Sequence, residues 1–94
     1  MIAKYAINTA MKAKHRRTLE SIYATPTLGS VIFAEVEALI VALGGDIREG
    51  NGSRVVFELA GSRIYLHRPH PGKEAKKYQV EELRKWLIEK GIHP

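Results

Sequence analysis

Two stretches in which apolar and polar residues alternate constrain the fold of this chain more than any other feature. They cover residues 53–60 and 63–68. A period of two is typical of a β-strand with one buried face, and Gly61-Ser62 between the stretches fits a two-residue hairpin loop. The sequence therefore predicts two paired antiparallel strands with one apolar face. That face would carry Val55, Phe57, Leu59, Ile64 and Leu66.

The remaining elements follow from helical spacing and from the positions of glycine and proline. Helices are predicted over residues 12–24, 33–43 and 78–90, and a short strand over residues 46–49. The order is helix, helix, three antiparallel strands, helix, which is an α+β fold. Because only one face of the sheet is apolar, we expect all the helices to pack on that face and the other face to be open to solvent.

Length, hydropathy and the absence of cysteine narrow the class of protein. Ninety-four residues suffice for one domain, which we place at residues 11–94, after an extended start or tag-like segment at residues 1–10. No apolar run is long enough for a membrane span, and no signal peptide is recognisable. The lack of cysteine excludes disulfides and fits a reducing compartment. We therefore expect one cytoplasmic domain without a membrane anchor.

Positive charge is concentrated at two places in the chain. Its 15 lysine and arginine residues exceed its 10 acidic residues, for a net charge of +5. Basic residues cluster in residues 11–17 and 63–77, whereas residues 18–62 are net negative. This pattern suggests a surface for a polyanion such as a nucleic acid. A solvated surface with a mild basic excess is the alternative interpretation.

The hairpin register predicts which polar side chains share the open face. With Gly61-Ser62 as the loop, Val56 lies opposite His67, and Arg54 becomes a diagonal neighbour of His67. The predicted set is Arg54, Val56, Glu58, Arg63, Tyr65 and His67. Arginine can hold a phosphate with two hydrogen bonds, histidine can transfer a proton near neutral pH, and tyrosine can stack on a base. An ordinary polar outer face would look the same in sequence.

The segment His67-Arg68-Pro69-His70-Pro71 is the second unusual feature. Its two histidines could suggest a metal, but the proline between them and the lack of further ligands nearby predict no metal site. The segment either directs Arg68 and His70 towards a polyanion or is a rigid exit loop. No phosphate-binding loop or dinucleotide fingerprint is present, and we expect no cofactor.

Several motifs, taken in order, resemble the HicA toxins of bacterial toxin–antitoxin pairs. They are Phe33-Ala34-Glu35-Val36-Glu37-Ala38-Leu39-Ile40, Leu43-Gly44, Gly52-Ser53-Arg54-Val55, a strand ending at His67, and a helix closing at Gly91-Ile92. The stretch from Lys12 to Glu20 and the segment from His67 to Pro71 resemble a longer subgroup of that family, with Gly-Ser-Arg in place of Gly-Ser-His. The likeness covers residues 11–94.

The resemblance implies a fold like the double-stranded RNA-binding domain, with an added N-terminal helix. It also implies a type II toxin that cleaves messenger RNA without the ribosome and is neutralised by a HicB-like antitoxin. The usual family pattern has a catalytic histidine where this chain has Arg54. Because a guanidinium is too basic to accept a proton, we hypothesise that His67 is the base, Arg54 the phosphate clamp and His70 the acid.

Further residues are predicted to bind RNA around this catalytic set. They are Arg63, Tyr65, Arg68, Lys73, Lys76 and Lys77. We expect single-stranded messenger RNA as substrate, because the surface is small for reading a duplex across successive grooves. Two alternatives stay open on the sequence alone, a non-catalytic RNA-binding module and a protein-interaction domain with a basic face.

Overall fold

The computed structural model describes residues 11–94, so the segment predicted as an extended start or tag lies outside the described residues. Within that range the elements are α1 (Ala13–Tyr23), α2 (Phe33–Ala42), β1 (Asp46–Glu49), β2 (Arg54–Leu59), β3 (Ser62–His67) and α3 (Lys77–Glu89). The strands form an antiparallel sheet in the order β1-β2-β3. This is the predicted α+β fold, consistent with the α-β-β-β-α order of the double-stranded RNA-binding domain plus a leading helix. Across residues 11–94, no helix is long and apolar enough to span a membrane.

The core lies on one face of the sheet. Val55, Phe57 and Leu59 of β2 are buried, whereas Arg54 on the same strand is exposed. The ring of Phe57 lies 5.8 Å from the ring of Phe33 at the start of α2. The helices and the C-terminal segment contribute Leu19, Ile22, Val36, Leu39, Ile40, Val80, Leu83, Trp86, Leu87 and Ile92. The predicted alternation is confirmed, and the polar residues of the other face remain in solvent.

The hairpin between β2 and β3 turns one residue earlier than the sequence indicated. Ala60 and Gly61 form the loop, with φ angles of 54° and 76°, and Leu59 pairs with Ser62. Two positive φ angles are the requirement of a type I′ turn, whose twist suits antiparallel strands. The predicted loop Gly61-Ser62 is therefore wrong. Ser62 belongs to β3, where its hydroxyl accepts a hydrogen bond from Trp86 Nε1 at 2.8 Å.

The corrected register brings the predicted site residues closer together. It shifts β3 by two residues along β2, and a shift of two leaves every side chain on its predicted face. The pairs on the open face are Glu58 with Arg63, Val56 with Tyr65, and Arg54 with His67. Arg54 and His67 are thus directly opposite each other, where a diagonal arrangement was predicted. The Arg68 N–H donates to the Ser53 carbonyl at 2.8 Å, so this is a non-hydrogen-bonded pair, the type with Cα atoms only about 4.5 Å apart.

The helix α1 packs mainly against α2 and α3. The guanidinium of Arg84 in α3 donates to the carbonyls of Ile22 and Ala24 at 2.8 and 3.1 Å. These carbonyls lie at the end of α1, where helical hydrogen-bond partners are missing. The Tyr23 hydroxyl donates to the Ile92 carbonyl in the C-terminal segment. Polar contacts as well as buried apolar residues therefore attach the leading helix.

Gly45 provides a test of how α2 joins the sheet. A Cβ atom there would lie 2.6 Å from the Glu58 carbonyl oxygen and 2.8 Å from Ile40 Cγ2. Because the first contact is with backbone, we expect Gly45→Ala to lower the free energy of unfolding by about 1–3 kcal/mol, the usual cost of overpacking. Gly72→Ala is the control, since its Cβ meets only the mobile end of Glu74 at 3.5 Å. Urea unfolding followed by tryptophan fluorescence measures the free energy of unfolding of both variants. Equal values for the two variants would contradict the close approach of Gly45 to the Glu58 backbone.

Candidate nucleic-acid interface

A shallow cavity of about 330 Å³ lies on the open face of the sheet. Two cross-strand pairs form its floor, Arg54 with His67 and Val56 with Tyr65, and the turn residues Gly50-Asn51 form one side. Arg54, Tyr65 and His67 are exposed, and Tyr65 retains 64% of its accessible surface. The structure therefore gathers three of the sequence-predicted site residues around one concavity.

Two neighbours hold His67 in place. Ser53 Oγ lies 3.1 Å from Nδ1 of the imidazole and thereby orients the ring. The side-chain amide of Gln79 donates to the His67 carbonyl at 2.8 Å, and its Oε1 accepts from the Lys76 N–H at 2.9 Å. Gln79 is only 2% exposed, so a buried glutamine of α3 ties the end of β3 to the loop that follows it. Neither Ser53 nor Gln79 is among the site residues predicted from the sequence.

The hydrogen bond between Ser53 and His67 allows either tautomer of the imidazole. If the serine hydroxyl donates, Nδ1 accepts and Nε2 carries the hydrogen, so the free side of the neutral ring is a hydrogen-bond donor. If Nδ1–H donates to the serine oxygen, Nε2 has an open lone pair and is a base. Rotation of one hydroxyl accommodates both states. In the second tautomer the Nε2 lone pair faces solvent while the Nδ1–H bond to Ser53 keeps the ring in position.

The carboxylate on the open face is held away from this pair. The two oxygens of Glu58 accept hydrogen bonds from Arg63 Nε and Arg48 Nε, both at 3.2 Å. These bonds, that of Arg63 foremost, lower the pKa of Glu58 and keep it ionised. Glu58 follows Arg54 by four positions along β2, which is roughly 13 Å at strand spacing. Glu58 and His67 therefore cannot act on the same phosphate, and the guanidinium of Arg63 is already paired.

Arg68 lies on the other side of the sheet from the cavity. Its guanidinium donates to both oxygens of Glu49 at 2.6 and 2.9 Å and to Glu37 at 2.7 Å. The hydrogen bonds that Arg68 donates to Glu49 and Glu37 raise the pKa of Arg68, and those to Glu49 lower the pKa of that carboxylate. A guanidinium engaged by two carboxylates has little capacity left for phosphate. The structure does not bring Arg68 to the other predicted RNA-binding residues; instead it links the ends of β3 and β1 to α2.

The remaining predicted residues lie on the loop between β3 and α3, except Lys77, which is the first residue of α3. Lys73, Lys76 and Lys77 are exposed. Backbone hydrogen bonds of 2.7 and 3.0 Å pair this loop with residues 31–33, and the buried glutamine described above fixes it beside the end of β3. Through Gln79 the Lys76 backbone is tied to the His67 carbonyl, but none of the three lysines lines the cavity. His70 is exposed on the same loop and does not line the cavity.

The side chains around the cavity define what it can do chemically. Nowhere in residues 11–94 do three or more potential metal ligands come together. The groups that can meet a phosphate are a guanidinium and an imidazole, directly across from each other on adjacent strands. A guanidinium stabilises negative charge and an imidazole moves protons near neutral pH. Both functions can promote the cleavage of a phosphodiester bond.

Comparison with protein-family models identifies a family for most of the described chain. The family described as HicA toxin of bacterial toxin–antitoxin matches residues 33–89, which run from the first residue of α2 to the last residue of α3. The match thus spans the sheet and the two helices around it and omits α1. No curated protein and no solved structure gives a significant match.

The Arg68 cluster predicts a loss of stability in acid. Because Arg68 lowers the pKa of Glu49 below its usual value of 4.5, folding favours the ionised carboxylate. The resulting stability is fully present above the unfolded-state pKa and is lost as the pH falls through the folded-state pKa. We expect the urea midpoint to fall between about pH 6 and pH 3, and to fall less steeply in Arg68→Ala. Arg54→Ala is the control, since Arg54 makes no ion pair within residues 11–94; an Arg68→Ala profile as steep as the control's would contradict the prediction.

Proposed function

The chain belongs to the HicA toxin family of bacterial toxin–antitoxin systems, and from this premise we propose that it is an endoribonuclease that cuts messenger RNA without the ribosome. One observation carries the proposal. Arg54 and His67 face each other across adjacent strands, inside an open cavity. A cation and a proton-transfer group at that separation are suited to one phosphodiester and the ribose hydroxyl beside it.

In the proposed reaction, Nε2 of His67 removes the proton from a ribose 2′-hydroxyl. The O2′–P bond forms and the P–O5′ bond breaks, which gives a 2′,3′-cyclic phosphate and a 5′-hydroxyl. Arg54 binds the non-bridging oxygens with two hydrogen bonds and stabilises the charge that develops on them. Ser53 keeps the imidazole oriented. Lys73, Lys76 and Lys77 contact neighbouring phosphates and supply the salt-dependent part of binding.

The leaving O5′ oxygen needs a proton in the same step. The sequence suggested His70 as the donor, but His70 lies on an exposed loop outside the cavity. We assign this protonation to water, which reaches the open cavity freely. His70 therefore becomes a useful control residue.

Arg54 occupies the position at which the usual family pattern has a catalytic histidine. A guanidinium stays protonated at any physiological pH and cannot serve as a base. His67 on the partner strand supplies the missing group, because the cross-strand register places it directly opposite. In this proposal β2 contributes the cation and β3 contributes the base.

The substrate and the partner follow from the same surface. In-line attack by a 2′-hydroxyl needs a flexible backbone, so we propose single-stranded RNA as the substrate. We also propose that a HicB-like antitoxin neutralises the protein by covering the open face of the sheet, and that the toxin acts in the cytoplasm, where messenger RNA is found.

A non-catalytic RNA-binding module of the same fold is the second candidate. The observation that favours it is Arg54 itself, since the usual base is absent from that position. Such a protein would bind RNA through the same lysines and the same open face. Binding that weakens steeply with salt, with no cleavage, would identify it.

The first test compares the two histidines. Purified protein is incubated with single-stranded RNA in the presence of a chelator, and products are resolved on a gel. We expect His67→Ala to reduce the cleavage rate by about 10²–10⁴-fold, the usual contribution of an acid–base group. His70→Ala should cleave at a rate close to wild type. Full activity of a folded His67→Ala protein would refute the assignment of the base.

The second test concerns the attacking group. Replacing the ribose at the cleavage site with deoxyribose removes the 2′-hydroxyl and should abolish cleavage at that position, while binding persists. The wild-type product should carry a 2′,3′-cyclic phosphate, detectable by mass spectrometry. Cleavage of the deoxy-substituted strand would show that water, and not the ribose, attacks the phosphorus.

A further inference from the structure

The chemistry of the cavity on the open face is divided along its length. Arg54 and His67 form a charged end, while Val56 and Tyr65 form an apolar and aromatic end. Tyr65 is two residues from His67 along β3, roughly 7 Å at strand spacing. That separation is comparable to the distance from a phosphate to the base of its own nucleotide. The proposed reaction uses only the charged end.

Tyr65 is unusual among the side chains of the sheet. It is the large apolar ring of the open face, 64% exposed, and it lies directly across from the half-buried Val56. The side chain of Val56 gives the floor beside the ring an apolar surface. An exposed aromatic ring next to a phosphate-binding end is the arrangement on which single-stranded nucleic acids stack their bases.

Asn51 stands at the wall of the same cavity. The Gly50 N–H donates to the Arg54 carbonyl at 2.9 Å, and the Arg54 N–H donates to the Asn51 carbonyl at 3.1 Å, so the turn backbone is fixed. A side chain at Gly50 would be crowded, because its Cβ would lie 3.0 Å from Arg54 Cβ. The amide of Asn51 makes no hydrogen bond within residues 11–94. It offers one donor and one acceptor side by side, which is the pattern that reads a base edge.

We propose that this cavity binds one unpaired nucleobase beside the phosphate held by Arg54 and His67. Tyr65 stacks on the face of the base, and the Asn51 amide hydrogen-bonds to its edge. The inference rests on the proposed ribonuclease function and adds a sequence preference to it. A base inside a duplex is already stacked on both faces, so the pocket selects single-stranded RNA.

The test is an NMR titration of the labelled protein with each of the four nucleoside 5′-monophosphates and with ribose 5-phosphate. We expect the nucleotides to shift the signals of the Tyr65 ring and the Asn51 side-chain amide, and ribose 5-phosphate to shift only the charged end. Tyr65→Ala should weaken nucleotide binding on the order of tenfold, the effect of losing one stacked base, and leave ribose 5-phosphate binding unchanged. Tyr78→Ala is the matched control, because Tyr78 is 57% exposed and lies outside the cavity.

Asn51→Ala tests the reading of the base edge. It should narrow the differences in affinity among the four nucleotides, and it should weaken the base preference at one position next to the cut in a randomised RNA pool. Identical shifts from nucleotides and ribose 5-phosphate, or nucleotide shifts outside the cavity, would overturn the proposal. Because the titration requires no cleavage, a protein that binds bases and cuts nothing would refute the ribonuclease alone. A protein that cuts RNA with no base-dependent binding would refute the pocket alone.

Discussion

The alternation of side chains along the β2–β3 hairpin is the constraint on which both the core and the candidate site depend. Val55 and Phe57 are buried under the helices, and the residues between and beside them are left on the solvent side. A slip of one residue would bury His67 and expose Leu66, so burial of the apolar set forbids it. The energy that stabilises the hairpin therefore also fixes the guanidinium opposite the imidazole. No separate framework is needed to position them.

The periodicity of the sequence predicted every helix and strand to within one residue at each end. The predicted hairpin loop, Gly61-Ser62, was wrong. It was chosen because a glycine at the first turn position is a strong local signal. In the structure Ala60 has a positive φ instead. The resulting register allows the hydrogen bond from Trp86 to Ser62 and the cross-strand pairing of Glu58 with Arg63. Longer-range interactions outweighed the local preference. The error spanned two residues, so the predicted faces were correct and only the distance between Arg54 and His67 changed.

Part of the candidate site was predicted from the sequence. The predictions based on counting charged residues were the ones that failed. A cluster of cations in the sequence does not reveal which of them already have acidic partners in the fold. Arg68 illustrates this, since it follows His67 by one residue and strand alternation alone would have placed it on the opposite face. Ser53 precedes Arg54 in the turn, so the Gly-Ser-Arg motif offered a signal for it. Gln79 offered only a lone amide beside an apolar helical stripe, and its bond to the His67 carbonyl depends on how α3 docks.

The attachment of α1 has a practical consequence for work with this protein. The family match begins at residue 33, and α1 packs on α2 and α3 with Arg84 closing its end. This helix packs against the helices on the buried side of the sheet, whereas the cavity lies on the open face. A fluorophore or an immobilisation group coupled at the exposed Glu20, after replacement by cysteine in a chain that has none of its own, would leave the opposite surface unobstructed. The appended helix is thus a natural place from which to tether the molecule while observing what happens on its far side.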